Sequence, residues 1–227
     1  MRQYQIDCYL LHSRHYRETS IIATAFSREL GKVSFVVKGA RSKKNSSGSL
    51  LLPFVPLQLQ LHGQSELKNG TKIELQGKAL SLTGRHLYSG MYLNEILIRT
   101  LPIEESMSEL YDSYSDTLRA LLSGLDIEPV LRNFEFKLLQ TLGYAIDFNC
   151  DAVSQTPLNP DHYYQFHPEL GFRLTTQPRD ALSGEAILQV ARQNWTVEAL
   201  KVAKYVARSA LTPLLGHKPL KSRELFR

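Results

Sequence analysis

A change in hydrophobic period near residue 84 constrains the fold of this chain more than any other feature. Before it, the segment 57–61 alternates leucine with glutamine, the period of two that is typical of a strand with one buried face. After it, apolar residues recur along 107–122 at spacings of three and four, as in an amphipathic helix. Because strands come first and helices follow, the pattern predicts a strand-rich domain over 1–82 and a helical domain over 83–227.

Short strand-like segments fill the first domain. They lie at residues 4–12, 19–26, 33–37, 57–61 and 73–82, with turn residues between them. In the last segment the alternation shifts phase at Gly77, which predicts a β-bulge. Five closely spaced short strands favour a five-stranded OB-fold barrel, and another small barrel, such as an SH3-like one, is the alternative.

The second domain is predicted to contain five helices and one irregular insert. The helices span 88–101, 107–122, 129–142, 181–193 and 196–211. Residues 150–180 hold four prolines and two short apolar runs on either side of Gly171, which predicts a loop with a small hairpin. The predicted fold class is therefore α+β: an N-terminal OB-fold barrel followed by an all-helical C-terminal domain with a loop and hairpin insert.

Charge is distributed unevenly along the chain, although the net charge is only +5. Residues 1–80 carry 12 basic and 5 acidic side chains, residues 81–200 carry 8 and 16, and residues 201–227 carry 7 and 1. This asymmetry predicts a basic module that meets a polyanion, together with a second module that has another role. No apolar run approaches ~18 residues, the start lacks an apolar leader, and the chain has 2 cysteines, so we expect a cytoplasmic protein.

Basic residues cluster near the ends of the first three predicted strands. A positively charged groove beside aromatic rings is how OB barrels bind single-stranded nucleic acid. The predicted DNA-binding residues are Arg14, Tyr16, Arg17, Lys32, Lys38, Arg41, Lys43 and Lys44. The alternatives are a solvated loop for the cations and barrel packing for the aromatic residues.

The sequence contains no motif for catalysis. It lacks a P-loop, a dinucleotide-binding glycine motif, a zinc-protease motif and an acidic metal-binding cluster. Cys150, His162 and His167 are candidate zinc ligands, but Val153 stands where a Cys-x-x-Cys pair would have its second cysteine. We therefore predict a protein that is not an enzyme and has neither a cofactor nor a metal ion.

Several motifs together resemble the RecO family of DNA repair and recombination mediators. They are Lys38-Gly39-Ala40-Arg41, Leu52-Pro53-Phe54 with Leu57, Leu142-Gly143-Tyr144, Cys150, and the tail from Lys218 to Leu225. The resemblance implies binding and annealing of single- and double-stranded DNA, contact with the acidic tail of single-stranded-DNA-binding protein (SSB), and loading of the RecA recombinase with RecR. It also implies a bacterial, nucleoid-associated protein. Many members carry a four-cysteine zinc site; this chain keeps Cys150 alone there and resembles the zinc-free branch.

An acidic SSB tail with an apolar end requires a pocket with cations at its rim. The predicted candidates are Arg132, Lys137, Lys201, Lys204 and Arg208, all on predicted helices. The alternative for each is an ordinary solvated helix face. Two other functions remain open for the chain: an RNA-binding OB protein with a helical appendage, and an enzyme that acts on nucleic acid.

Overall fold

The N-terminal part of the chain is a closed five-stranded barrel. The structure, a computed structural model, describes residues 3–42, 47–177, 179 and 181–226. The strands are β1 (Gln3–Tyr16), β2 (Ser20–Ser27), β3 (Gly31–Val37), β4 (Pro56–His62) and β5 (Leu67–Leu75). Their order around the barrel is β1-β2-β3-β5-β4, with every pair antiparallel except β3 and β5. This closed barrel confirms the predicted OB-type architecture.

Alternate residues of the strands fill the barrel interior. Phe35, predicted as core from its phase, is fully buried between Val33 and Val37. The long strand β1 changes register between Leu10 and His12, where a β-bulge bends it. Beyond this bulge, β1 pairs only with β2 among the described strands. Residues 21–24 of β2, opposite this part of β1, also pair with β3, so the three strands continue together to one end of the barrel.

The predicted continuation of the fifth strand to residue 82, with a bulge at Gly77, is wrong. β5 ends at Leu75, and the register shift between β4 and β5 lies at Leu59 and Gln60 instead. Leu82 is buried because it packs beside Gly90, where an added Cβ would lie 2.9 Å from the Leu82 side chain. The alternating pattern of residues 80–82 thus arises from packing on a helix rather than from a sheet.

Five helices and a small three-stranded sheet form the rest of the described chain. The helices are α1 (Gly84–Thr100), α2 (Ser108–Leu122), α3 (Ile127–Thr141), α4 (Gly184–Ala191) and α5 (Val197–Leu215). The sheet has the order β7-β6-β8, from β6 (Tyr163–His167), β7 (Gly171–Leu174) and β8 (Leu182–Ser183). The predicted hairpin is confirmed as β6 and β7. The short strand β8 was predicted as helix, because two residues carry too little pattern to be recognised.

The chain packs as two compact units. The first runs through Leu125 and includes the C-terminal residues from Pro219 onward, and the second is Asp126–Lys218. The predicted division after residue 82 follows the change from strands to helices and stays a prediction about domain organisation. Among the described residues, no helix combines the length and apolar character needed to cross a membrane.

Helices α1 and α2 fix the bend of β1 in the first unit. The Asn94 side-chain amide donates to the carbonyl oxygens of Leu10 and Leu11, at 3.4 and 3.2 Å. Its carbonyl oxygen accepts from the hydroxyl of Tyr114, which packs edge-on against Tyr9 at a centroid distance of 5.4 Å. Buried carbonyls at a bulge need such donors because the strand ladder does not supply them. Asn94 therefore stabilises the bulge at which β1 bends.

Candidate nucleic-acid interface

Four predicted DNA-binding cations lie near one end of the barrel. Residue 16 pairs with residue 20 at the β1–β2 hairpin, and residue 21 pairs with residue 37 at the end of β3. The loop after β3 is tied to the hairpin, because the Arg41 amide donates to the Thr19 carbonyl at 2.9 Å. We call this region the cationic end, and its residues are Arg14, Tyr16, Arg17, Lys38 and Arg41. All four cations are exposed, so the arrangement presents separate positive charges to solvent.

Tyr16 gives the cationic end an aromatic surface. The ring is half-buried, and the guanidinium carbon of Arg17 lies 5.1 Å from its centroid. This distance is within the range of a cation–π contact. Arg17 has a φ of +51°, the left-handed conformation that turns the chain tightly between β1 and β2. The hairpin thus holds a ring and a guanidinium group side by side, the pair of groups that stacks on nucleobases.

An open sheet face continues from the cationic end along the outside of the barrel. Arg14, Ile22 and Val36 are cross-strand neighbours on this face, and none of the three is buried. Thr24 and Ser34 form the next row, with 3.2 Å between their hydroxyl oxygens. Apolar and hydroxyl groups can contact bases without reading their sequence. The sequence prediction missed this face because an isoleucine or valine in a strand indicates core as readily as surface.

Lys32 lies apart from the four cations of the cationic end. It pairs with Phe26 at the opposite end of β3, six residues before Lys38, which corresponds to roughly 20 Å along a strand. Its Nζ donates to the carbonyl of Ile98 at 2.9 Å, near the C-terminus of α1. Burial lowers the pKa of Lys32. Because the Ile98 carbonyl lies in the last turn of α1, this contact of the Lys32 ammonium group caps the C-terminus of that helix. The other two predicted cations, Lys43 and Lys44, lie outside the described residues.

The C-terminal segment adds two exposed cations to the first unit. A short 3-10 helix, Lys221–Phe226, follows α5 and packs with α1. The side chains of Lys221 and Arg223 are exposed on it. This segment belongs to the same compact unit as the barrel.

Arg132, predicted to contact an acidic tail, lies inside the second unit. Its side chain is 7% exposed, and Nη2 donates to Oε1 of Glu135 at 2.8 Å. Within the described part of the chain, Nε and Nη1 of Arg132 have no hydrogen-bond partner. In this arrangement the guanidinium group is not at the rim of a pocket.

The other four predicted tail-binding cations are more accessible. Lys201 pairs with Glu198 at 2.7 Å, and Lys204 pairs with Glu128 at 2.6 Å. Arg208 is exposed on α5. Exposed ion pairs of this kind hold their partners weakly, so these lysines can exchange partners.

Lys137 borders a cavity of about 450 Å³ in the second unit. Three aromatic rings line the same cavity, those of Phe136, Phe148 and Trp195. Phe136 and Phe148 meet edge-to-face with 5.0 Å between centroids. A lysine beside aromatic walls fits a ligand that combines an anionic group with an apolar one. The sequence prediction missed these rings, because they are far apart in the chain and each one alone is typical of a residue packed in a hydrophobic core.

The loop after Cys150 is held by one carboxylate. Oδ1 of Asp151 accepts from the amides of Val153 and Ser154 at 2.9 and 2.8 Å, and Oδ2 accepts from the amide of Leu174 on β7 at 2.7 Å. Burial opposes ionisation of Asp151, but these hydrogen bonds outweigh it and hold its pKa below the ordinary value. The carboxylate thus joins the loop to the hairpin.

The residues present do not fit a four-cysteine zinc site. Cys8 is buried in the barrel core, and Cys150 is the other cysteine of the chain. Across the described ranges, no three His, Cys, Asp or Glu side chains gather closely enough to bind one metal ion.

Comparison with known proteins gives matches over nearly the whole chain. The family model "Recombination protein O N terminal" matches residues 1–78, and "Recombination protein O C terminal" matches residues 82–224. A DNA repair protein RecO of Pseudoalteromonas atlantica is 44% identical over 225 residues, covering 98% of this chain and 94% of that protein. The protein of the same name from Pseudomonas putida is 44% identical over 221 residues, covering 96% and 95%. One from Pseudomonas aeruginosa is 43% identical over 220 residues, covering 96% and 92%.

Proposed function

Because this chain belongs to the RecO family of DNA repair proteins, we propose that it is a recombination mediator that binds and anneals DNA strands without covalent catalysis. The observation that carries the proposal is the cationic end of the barrel. Its four exposed cations and the ring of Tyr16 lie beside an uncovered sheet face. Together they combine the phosphate-binding and base-stacking groups that single-stranded DNA requires.

Binding is proposed to be electrostatic and largely independent of sequence. Each phosphate neutralised by a cation releases counterions, so affinity falls as the salt concentration rises. Contacts to phosphates position a strand but do not read its bases. A strand held this way keeps its base edges available, and a second strand can pair with them. Annealing would follow because the protein leaves the base-pairing edges of the bound strand accessible.

The partners proposed for the chain are SSB, RecR and the RecA pathway. The cavity bordered by Lys137 supports the first of these, because an SSB tail is acidic with an apolar end. In this proposal Lys137 contacts an acidic group and the rings of Phe136, Phe148 and Trp195 receive the apolar end. Lys201, Lys204 and Arg208 remain proposed contacts at longer range. RecR binding rests on family membership alone.

The DNA-binding proposal is tested by replacing Lys38 and Arg41 with alanine together. The double variant should bind single-stranded DNA more weakly, and its log–log salt slope should fall by about 1.4, corresponding to two phosphate contacts. The matched control is Lys78→Ala, which removes an exposed lysine just beyond β5. An unchanged slope in the double variant would refute the interface.

Two further measurements separate the proposed function from its rivals. Binding of single-stranded DNA should be at least as tight as binding of RNA of the same sequence, since an RNA-binding protein gains contacts to 2′-hydroxyls. The protein should also accelerate annealing of SSB-coated complementary strands. Mg²⁺-dependent cleavage of labelled DNA would instead identify a nuclease.

A further inference from the structure

Two side chains on α1 hold the C-terminal segment against the first unit. Oε1 of Glu95 accepts from the Lys221 amide at 3.0 Å, and Oε2 accepts from the amide and the hydroxyl of Ser222 at 2.8 and 2.7 Å. One turn later, Nη1 of Arg99 donates to the carbonyl of Pro219 at 3.3 Å. Four hydrogen bonds from two neighbouring side chains thus fix the backbone of residues 219–222.

Burial adds to this attachment. Leu220 and Ser222 are 3% and 5% exposed, while Lys221 between them is exposed. The Glu95 carboxylate caps the amides at the start of the 3-10 helix, where a negative charge is favourable. Along this segment the side chains of Leu220 and Ser222 point inward, and the ammonium group of Lys221 between them stays in solvent.

We propose that Glu95 is a positioning residue for DNA binding. It holds the C-terminal segment so that Lys221 and Arg223 form a fixed second phosphate-binding site on the first unit, in addition to the cationic end. The inference rests on the proposed function, because it presupposes that this unit binds DNA. It adds a role for an acidic residue that contacts no DNA itself.

Replacing Glu95 removes both a negative charge and an attachment point, and these two losses should change DNA affinity in opposite directions. A carboxylate near a DNA-binding surface repels phosphates, so its removal by itself should strengthen DNA binding. Loss of the attachment should weaken binding, because two cations on a loose segment lose conformational entropy when they are ordered on DNA. The two effects have opposite signs, and the sign of the change in affinity therefore distinguishes them.

The central variant is Glu95→Gln in the full chain, measured with single-stranded DNA across a range of salt. We expect affinity to fall about tenfold and the salt slope to fall by up to about 1.4, as for two phosphate contacts. The matched control is Glu74→Gln, which removes an exposed carboxylate from β5 of the same unit and should bind equally well or more tightly. Cleavage by a protease specific for Lys and Arg should become faster after Lys221 and Arg223 in Glu95→Gln only.

A double-mutant cycle connects Glu95 to the two cations. The variant Lys221→Ala with Arg223→Ala should lose as much affinity as Glu95→Gln, and adding Glu95→Gln to it should cause little further loss. If Glu95→Gln reduces thermal stability, Ser222→Ala tests the same attachment, because it removes one hydrogen bond and no charge. It should produce a smaller loss of affinity in the same direction.

DNA binding by three variants distinguishes a wrong role for Glu95 from a wrong function for the protein. If Lys38→Ala with Arg41→Ala weakens DNA binding but Glu95→Gln leaves it unchanged or tightens it, Glu95 has no positioning role and the DNA interface stands. If neither Lys38→Ala with Arg41→Ala nor Lys221→Ala with Arg223→Ala changes the salt slope, the proposed function itself is wrong.

Discussion

Lys68 and Glu104 form an ion pair in the first unit, with 2.6 Å between Nζ and Oε1, although the Lys68 side chain is fully buried. The Lys68 ammonium also donates to the carbonyl of Ser65 at 3.2 Å and lies 5.5 Å from the ring centroid of Tyr4. The amide of Glu104 in turn donates to the carbonyl of Lys32 at 2.9 Å. The segment between α1 and α2 is therefore bound to the barrel at two neighbouring points.

Replacing Glu104 with glutamine should destabilise the first unit, because the buried ammonium of Lys68 would lose its counter-charge. We expect the free energy of unfolding to fall by about 2 kcal/mol, less than for a fully buried pair because Glu104 is partly exposed. Urea denaturation measures the change. Glu105→Gln, at the adjacent exposed residue, is the control and should stay within about 0.5 kcal/mol of the wild type. Equal effects of the two substitutions would contradict a specific role for the pair.

Replacing Tyr16 with alanine should weaken binding of single-stranded DNA by about 1–3 kcal/mol, the contribution of one stacked base. Tyr16→Phe keeps the ring and should bind nearly as well as the wild type. Duplex DNA, whose bases are already stacked, should be affected less. Tyr144→Ala removes an exposed tyrosine from the second unit and serves as the control. Equal losses for single-stranded and duplex DNA would argue against stacking.

The strand and helix pattern could be predicted because it depends on residues close together in the chain. The period of two and the helical stripes identified the barrel and the helices, and the turn residues separated successive strands along the chain. The error near Gly77 has a physical origin: Leu80 and Leu82 alternate as a strand would, but Leu82 is buried against α1. Periodicity reports burial and does not say which partner causes it.

The candidate interface could be predicted only in part. Lys32 and Lys38 are close in sequence, yet a strand separates them to opposite ends of β3. The bonds from Asn94 to Leu10 and Leu11 join residues more than 80 positions apart, and no local pattern encodes them. Sequence therefore indicates which charges are available, and the topology decides which of them act together.

Arg132 and Lys137 should respond differently to alanine substitution. Arg132→Ala removes one member of a buried ion pair and should lower the free energy of unfolding by about 3 kcal/mol. Lys137→Ala should lower stability less than Arg132→Ala does, and it should weaken binding of an SSB tail peptide. Trp195, the one tryptophan of the chain, lines the same cavity as Lys137, so its fluorescence reports peptide binding directly.

The comparison variant for the peptide titration is Lys201→Ala, which should lose less affinity than Lys137→Ala because Lys201 borders a different cavity of the second unit. Peptide binding that is lost in Lys201→Ala and retained in Lys137→Ala would move the proposed tail site to that second cavity. A peptide that fails to change Trp195 fluorescence but still binds by calorimetry would also place it elsewhere.

The carboxylate of Asp151 should make the second unit sensitive to acid. Hydrogen bonds lower its pKa in the folded state, so its contribution to stability is present above the unfolded-state pKa of about 3.9 and is lost as pH falls through the folded-state value. Asp151→Asn should therefore cost about 2 kcal/mol at pH 7, because three backbone amides and a hydroxyl lose a charged acceptor. Below about pH 4 the difference from the wild type should begin to narrow, because the unfolded-state carboxyl takes up a proton there while the folded-state carboxyl stays ionised to a lower pH.

Urea denaturation followed by Trp195 fluorescence at pH 7 and near pH 3.5 measures this difference, since Trp195 lies in the same unit as Asp151. Asp161→Asn, at an exposed carboxylate of the same insert, should change stability little at either pH. A constant difference between Asp151→Asn and the wild type across this range would show that the shape of the side chain, rather than its charge, supports the loop. A stability difference that narrows in acid would identify the charge of Asp151 as the feature that holds the loop on β7.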